Sequence, residues 1–308
     1  MALDPVIAAF LEASKDQPRV ETLPVEQARA GMAAMTEQLK ALGPQVADTS
    51  EREIDGPAGP LRVRIYRPAG DEPLPVIVFF HGGGWVLCSL DTHDNVCRGL
   101  SAGTNAIVVS VDYRLAPENR YPAAIDDCFA ATQWAAANAA SIGGDPAKIA
   151  AAGDSAGGNL AAAVALRARD SGGPALVGQL LVYPVTDYPS DAMPSYAENG
   201  EGYGLTRPSM EFYWEQYLGE SPADAPYAAP LRASDLSGLP PAFVITAEYD
   251  VLRDEGEAYA GALKAAGTDV EVTRYAGVNH GFFSMAGLVT AATQATEDAC
   301  AWLKARFA

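Results

Sequence analysis

The stretch KIAAAGDSAGG, residues 148–158, decides the fold. Its first residues form a short apolar strand, residues 153–157 match G-x-S-x-G, and a helical pattern begins near Gly158. Ser155 is therefore predicted on a sharp strand-to-helix turn, where small neighbours let the strand and the helix approach closely. The N-terminus of a helix also favours negative charge that develops beside the serine. A serine between glycines also occurs in plain turns, so this motif alone leaves a nucleophile unproven.

A glycine-rich loop, HGGGW at residues 81–85, follows the apolar strand predicted at residues 76–80. Glycines leave backbone N–H groups unshielded, so those of Gly83 and Gly84, together with that of Ala156, are candidates for binding an oxyanion. Such a loop could instead hold a phosphate. No Lys-Ser or Lys-Thr follows to complete a P-loop, and the dinucleotide fingerprint is also missing. An oxyanion hole is therefore the favoured interpretation.

A nucleophilic serine needs a general base, and the chain has three histidines, at positions 81, 93 and 280. His81 opens the glycine-rich loop, and His93 lies in the polar stretch DTHD. His280 is predicted in a flexible loop after the strand at residues 270–275, where it can reach a serine at the carboxyl end of the sheet. The order Ser, Asp, His is that of α/β-hydrolases, which favours His280 as the base over a surface imidazole.

Three carboxylates follow the strand predicted at residues 242–246, and one of them is needed to orient the histidine. Glu248 comes so soon after the strand that its side chain is expected near the sheet. Asp254 is expected in the first turn of the next helix, where acidic residues stabilise the helix N-terminus. Asp250 lies between them in the loop, followed by two apolar residues that can anchor it. Asp250 is therefore the predicted acid.

Composition limits the classes of function. The chain has 308 residues, of which 49% are hydrophobic, and 21 Lys and Arg against 39 Asp and Glu give a net charge of −18. That charge argues against a nucleic-acid partner and against binding to an anionic membrane. The four cysteines form no CxxC pair, which argues against a zinc or redox motif, and four in a chain of this length do not indicate a disulfide framework, so we expect reduced thiols. No signal peptide and no membrane span are predicted, so we expect a cytoplasmic protein.

The order of elements predicts the architecture. Short apolar runs alternate with helical patterns, which indicates an α/β fold with a mostly parallel sheet covered on both faces. We expect a catalytic domain at residues 46–187 and 229–308. Residues 188–228, rich in Pro, Gly, Tyr and Glu, interrupt the alternation and are predicted to be a cap insertion, to which helices in residues 1–45 contribute. The alternative is an ordinary surface excursion.

Together the motifs resemble the hormone-sensitive-lipase family, and more narrowly its bacterial esterases with a GDSAG elbow. The resemblance rests on HGGGW at 81–85, DYRLAPE at 112–118, YPAA at 121–124, GDSAG at 153–157, DVL at 250–252 and HGF at 280–282. It implies an eight-stranded α/β-hydrolase fold with a helical cap, short acyl esters as substrates and no metal or organic cofactor. The same family usually has a glycine where this chain has Cys88.

The predicted function is that of a serine carboxylester hydrolase for short- to medium-chain acyl esters, which acts through an acyl-enzyme. Ser155 is the predicted nucleophile, with His280 as base and Asp250 as acid. Trp85 and Asp154, which adjoin the two glycine motifs, are further candidates for contact with a small-molecule ester. An amidase, an interfacial lipase and a non-catalytic ligand receptor remain as alternatives. A homodimer is left open.

Overall fold

A sheet of eight strands organises the residues that the structure, a computed structural model, describes: 2–70, 73–222, 225 and 227–308. The strands are β1 (Asp48–Gly56), β2 (Gly59–Arg67), β3 (Leu74–Phe80), β4 (Ile107–Val111), β5 (Gly144–Asp154), β6 (Gly178–Val182), β7 (Ala242–Tyr249) and β8 (Val270–Asn279). Their order across the sheet is β1-β2-β4-β3-β5-β6-β7-β8. The pairs β1–β2 and β2–β4 are antiparallel, and all the others are parallel. The mostly parallel sheet is thus confirmed.

The central strands are apolar along their whole length because both faces of the sheet are covered. Every residue of β4, IVVSV, is buried, and so is every residue of β3, LPVIVFF, except its proline. These two strands pair in parallel from Val76↔Ile107 to Phe80↔Val111. The sheet core therefore forms where the sequence has its continuous apolar runs.

β1 and β8 show two ways in which the structure departs from the sequence prediction. No strand is predicted at β1, because its sequence DTSEREIDG has no alternation of apolar residues, and in the structure only Ile54 of this strand is buried. Backbone pairing with β2 along its whole length, from Asp48↔Arg67 to Gly56↔Gly59, forms it instead. β8 runs to Asn279, past the predicted end at residue 275, so His280 directly follows a strand rather than lying in a flexible loop.

Helices cover both faces of the sheet. They are α1 (Pro5–Ser14), α2 (Val25–Lys40), α3 (Asp94–Thr104), α4 (Ala123–Asn138), α5 (Ala156–Asp170), α6 (Ser195–Glu198), α7 (Arg207–Leu218), α8 (Arg253–Ala265) and α9 (Thr290–Phe307). Buried residues of α4, α5 and α8 belong to one apolar cluster. Those of α3 and α9 belong to a second cluster, across the sheet. Among the helices described, none is long and apolar enough to cross a membrane.

The N-terminal segment contacts the insertion between β6 and β7. Arg19 forms an ion pair of 2.6 Å with Glu201 of the insertion. The Ser209 hydroxyl on α7 donates a hydrogen bond of 3.0 Å to the Glu21 carboxylate. These contacts join the two segments that precede and interrupt the alternating strands and helices.

The parallel strands bring the candidate residues to one edge of the sheet. The glycine-rich loop follows β3, Ser155 follows β5, Asp250 follows β7 and His280 follows β8. Because the carboxyl ends of parallel strands lie at the same edge, residues far apart in the chain meet there.

Candidate active site

Ser155 lies at the turn between β5 and α5, with φ 56° and ψ −120°. A residue with a side chain adopts such a conformation only where the surrounding structure imposes it. The turn is held by close packing, because a Cβ added at Gly157 would lie 1.9 Å from the Phe80 carbonyl oxygen on β3. A Cβ at Gly153 would lie 2.2 Å from the Gly157 carbonyl oxygen. The small flanking residues thus let α5 approach the sheet, as the motif predicts.

The structure brings Ser155, His280 and Asp250 together in one hydrogen-bonded chain. Nε2 of His280 lies 2.9 Å from the Ser155 hydroxyl oxygen. Nδ1 of the same ring lies 2.7 Å from Oδ2 of Asp250. The other oxygen of Asp250 accepts a hydrogen bond of 3.0 Å from the Leu252 N–H group, and the Asp250 side chain has no exposed surface. This geometry lets the imidazole take a proton from the hydroxyl while the carboxylate holds its orientation.

The two other candidate acids have different partners. Glu248 lies on β7 itself, and its carboxylate accepts a hydrogen bond of 2.7 Å from the Gly277 N–H group. Asp254 lies in the first turn of α8 and accepts a hydrogen bond of 2.7 Å from the Ser195 N–H group. Of the three carboxylates, only Asp250 contacts His280.

The glycine-rich loop passes close to its neighbours at both candidate oxyanion donors. Gly83 has φ 108°, and a Cβ there would lie 2.4 Å from the Leu87 carbonyl oxygen. Gly84 has φ 61°, and a Cβ there would lie 2.3 Å from the Tyr213 ring. Among the described residues, no acceptor receives a hydrogen bond from the N–H groups of Gly83, Gly84 or Ala156. Gly83 and Gly84 also line the cavity beside Ser155.

His93 belongs to the site, although the sequence analysis assigns it no role. Its Nε2 lies 3.1 Å from Oδ1 of Asp154, and the same oxygen accepts a hydrogen bond of 3.0 Å from the Gly82 N–H group. Burial by itself would raise the pKa of Asp154, but the charge of His93 and its hydrogen bond outweigh burial and lower that pKa. The ionised carboxylate anchors the glycine-rich loop to the turn that carries Ser155. Asp154 also lines the cavity beside the serine.

The other buried imidazole, His81, stacks on the Tyr113 ring at 4.3 Å between centroids. Burial, followed by the nearby His93, lowers the pKa of His81 to about 3, so this ring is neutral at ordinary pH. The Tyr113 hydroxyl donates a hydrogen bond of 2.8 Å to the His81 carbonyl oxygen. These contacts fix the start of the glycine-rich loop.

A cavity of about 200 Å³ lies beside Ser155. Its walls come from α2 through Met32 and from the insertion through Leu205, Met210 and Tyr213, and the glycine-rich loop and His280 complete the lining. A larger outer depression of about 620 Å³ shares Met32, Leu205 and Tyr213 with the cavity. The serine is thus reached from a confined, mostly apolar space.

Comparison with known proteins supports the same assignment of fold. A family model described as an alpha/beta hydrolase fold matches residues 77–284. The esterase LipI of Mycobacterium tuberculosis is 44% identical over 304 residues, which cover 96% of this chain and 92% of that protein. A solved structure of a hyperthermophilic esterase from the archaeon Pyrobaculum calidifontis has a TM-score of 0.93 at 43% identity and covers 99% of both chains. This chain belongs to the α/β-hydrolase fold family.

The family model and the related esterases together confirm the resemblance to bacterial esterases of the hormone-sensitive-lipase family that the motifs indicate. The carboxylesterase NlhH of Mycobacterium tuberculosis is 50% identical over 247 residues, which cover 79% of this chain and 77% of that protein. An ethyl acetate hydrolase of Pseudomonas putida is 36% identical over 311 residues, which cover 96% of each chain. The similarity therefore extends well beyond the short motifs around the serine.

Trp85, which is predicted to contact the ester, lies in the core of this α/β-hydrolase instead. Its side chain is fully buried, stacks on the Tyr217 ring at 4.1 Å and lies 4.9 Å from the Trp214 ring. Trp85 is not among the residues that line the cavity beside Ser155. The large apolar ring packs against α7 instead of facing a substrate, so we assign Trp85 to the core.

Cys88 occupies a position at which the backbone itself favours glycine. Its φ is 71°, in the left-handed region, and its Sγ would lie 2.8 Å from a Cβ placed at Gly83. Burial raises the pKa of the Cys88 thiol to about 12, so the group stays protonated. The side chain lines the cavity. The uncharged thiol of Cys88 therefore occupies part of the cavity wall that a glycine at this position would leave empty.

Among the residues described, no three His, Cys, Asp or Glu side chains are grouped so that they could hold a metal ion. The absence of a cofactor, which the family resemblance implies, stays a prediction.

Proposed function

We propose that this chain is a serine carboxylesterase that hydrolyses short- to medium-chain acyl esters through an acyl-enzyme intermediate. The observation that carries the proposal is the hydrogen-bonded chain from Ser155 through His280 to Asp250, with distances of 2.9 and 2.7 Å, beside a confined cavity. The activities named for the related proteins support the same reaction class.

In the acylation step, the Ser155 oxygen attacks the ester carbonyl carbon while Nε2 of His280 takes the hydroxyl proton. Asp250 holds Nδ1 of the ring and stabilises the imidazolium that forms. The imidazolium then gives its proton to the leaving alcohol as the carbon–oxygen bond breaks. A water molecule repeats the attack on the acyl-enzyme, with His280 again as base, and releases the carboxylic acid.

The tetrahedral intermediates carry a negative oxygen that needs hydrogen-bond donors. We assign this role to the backbone N–H groups of Gly83, Gly84 and Ala156, which no described acceptor occupies. Each such donor stabilises the transition state by about 2.7–4 kcal/mol. Asp154 acts indirectly, because it binds Gly82 and so holds the loop that carries two of these donors.

The proposed cap consists of residues 1–45 and residues 188–228, on a catalytic domain of residues 46–187 and 229–308. Two observations support it: both segments contribute to the wall of the cavity, through Met32 and Met210, and the Arg19–Glu201 ion pair joins them. A wall of this kind limits the length of the acyl chain. A cytoplasmic location is supported by four cysteines that are all free thiols.

The Ser155→Ala variant tests the function. We expect its kcat for p-nitrophenyl butyrate to fall by more than about 10⁴-fold, as when the nucleophile is removed from other serine hydrolases. Ser110→Ala, which changes a fully buried serine on β4, is the matched control and should retain activity. Activity of Ser155→Ala close to that of the unaltered protein would overturn the assignment. Faster turnover of emulsified long-chain triglyceride than of soluble butyrate esters would instead indicate a lipase.

A further inference from the structure

The insertion contacts the loop that carries the proposed acid. Asn199, with only 4% of its surface exposed, donates from Nδ2 to the backbone carbonyl oxygens of Asp250, at 3.1 Å, and Glu248, at 3.3 Å. β7 ends at Tyr249, so Asp250 lies beyond the last residue of the strand. The Asp250 carbonyl receives one other hydrogen bond, at 3.3 Å from the Arg253 N–H group. The amide of Asn199 thus makes the shorter of the two bonds that hold this carbonyl.

Two neighbours of Asn199 bind the residues that follow Asp250. The Ser195 hydroxyl, which is fully buried, donates a hydrogen bond of 2.6 Å to the Val251 carbonyl oxygen. The Tyr196 hydroxyl donates a hydrogen bond of 2.9 Å to the carboxyl group of the buried Glu255 on α8. The short helix α6 and the residue after it, Asn199, therefore hold the loop that carries Asp250 from its start to α8.

The same part of the insertion also contacts the strand end that carries the base. Asn279, the residue before His280, donates from Nδ2 to the Tyr203 carbonyl oxygen at 2.9 Å. The Tyr203 ring stacks on the Tyr249 ring at 4.6 Å, next to Asp250. Residues 195–203 thus hold both the acid and the base from the side of the insertion.

We propose that residues 195–203 form a positioning element for the Asp250–His280 pair, in which Asn199 is the principal positioning residue. This inference rests on the proposed function. The carboxylate of Asp250 can orient the imidazole only if its backbone is fixed, and displacements of about 1 Å in catalytic geometry reduce rates about 100-fold. The insertion therefore does more than cover the cavity: it completes the geometry of the catalytic residues.

A double-mutant cycle between Asn199→Ala and Asp250→Asn tests this role with p-nitrophenyl butyrate. We expect Asn199→Ala to lower kcat by about 10- to 100-fold while KM changes less than about twofold, because the substrate cavity is not altered. In the Asp250→Asn background, the same change should lower kcat less than about twofold, since Asn199 acts through Asp250. Ser195→Ala, a smaller change in the same element, should show the same coupling if Asn199→Ala does not fold.

Asn159→Ala is the matched control. Asn159 is fully buried, and its Nδ2 also donates to two backbone carbonyl oxygens, those of Val185 at 2.9 Å and Ala228 at 2.8 Å. The Asn159→Ala variant loses comparable hydrogen bonds, but Asn159 does not contact the loop that carries Asp250. The effect of this variant on kcat should therefore multiply with the effect of Asp250→Asn. A multiplicative effect of Asn199→Ala as well, or an unchanged kcat, would overturn the positioning role and leave the proposed function intact. Full activity of Asp250→Asn alone would overturn the proposed acid and, with it, this inference.

Discussion

Asp250 is the residue whose role is tested most sharply by comparison with its neighbours. Asp250→Asn should lower kcat by about 10⁴-fold, because an amide facing Nδ1 of His280 favours the wrong tautomer. Glu248→Gln should cost less than about tenfold, since Glu248 contacts the Gly277 N–H group and not the histidine. Steady-state hydrolysis of p-nitrophenyl butyrate by the two variants checks this order. If Asp250→Asn lowers kcat only slightly and Glu248→Gln lowers it by several orders of magnitude, the acid is wrongly assigned.

Gly84 should tolerate no side chain. A Cβ there would lie 2.3 Å from the Tyr213 ring, and its φ of 61° is unfavourable for alanine, so Gly84→Ala must shift the loop that carries two proposed oxyanion donors. We expect kcat to fall at least about 100-fold, the effect of losing one such donor. Gly261→Ala on α8 is the matched control, because a Cβ there meets nothing within 4 Å. It should stabilise the protein by about 0.5–1 kcal/mol and leave kcat unchanged. Equal kcat values for the two variants would contradict the assignment of the loop.

Single residues could be predicted where the chemistry is marked locally. Ser155 lies in a short motif, and His280 and Asp250 follow from chain order and from their places after strands. The structure confirms the positions of these three residues, and their catalytic roles stay predictions. His93 could not be found in this way, because its partner Asp154 is 61 positions away and its own surroundings are simply polar. Trp85 was misplaced because its position beside the glycines does not reveal that α7 supplies two aromatic rings to cover it.

Glu255 links α8 to the insertion, and its burial predicts that the stability of the fold depends on pH. It is fully buried and accepts hydrogen bonds from the Thr186 N–H group, at 2.8 Å, and the Tyr196 hydroxyl, at 2.9 Å. Burial is the largest influence and raises the pKa of Glu255 from 4.5 to about 8, although these donors lower it. Between these two values the folded protein keeps a proton that the unfolded chain has lost. The contribution of Glu255 to stability therefore falls as the pH rises through this range.

The Glu255→Gln variant measures that contribution. Its side chain is neutral at every pH, so its Tm relative to that of the unaltered protein should rise between pH 5 and pH 8. Thermal melts of both proteins in the same buffers cancel the contributions of all other groups. A Tm difference that stays constant over this range would mean that Glu255 is ionised in the folded protein already at pH 5.

Strands and helices were predictable to different degrees for a physical reason. β3 and β4 are buried on both faces, so their apolar runs mark them, and α5 begins at Ala156, two residues before the start predicted near Gly158. β1 was missed because its side chains are mostly exposed and only its backbone pairs with β2. The extension of β8 to Asn279 depends on pairing with β7, as in Tyr249↔Asn279, which its own sequence does not show.

At the scale of the whole molecule, the fold class could be predicted but the cavity could not. Alternating strands and helices indicate a covered parallel sheet whatever the details of packing. The cavity exists because the N-terminal segment, which includes α2, and the insertion meet above the sheet, through contacts such as Arg19–Glu201 that join distant parts of the chain. Its size of about 200 Å³ is a result of that packing. Substrate range is therefore a property of the assembled molecule rather than of any motif.

The proposed acylation of Ser155 can be tested by locating a covalent adduct on that residue. The protein is incubated with an aryl phosphonate, residual esterase activity is followed, and peptides are mapped by mass spectrometry. We expect one adduct per chain, on the peptide that contains Ser155, in proportion to the activity lost, and no adduct on Ser155→Ala. Loss of activity without modification of Ser155, or in proportion to an adduct on another residue, would show that Ser155 is not the nucleophile.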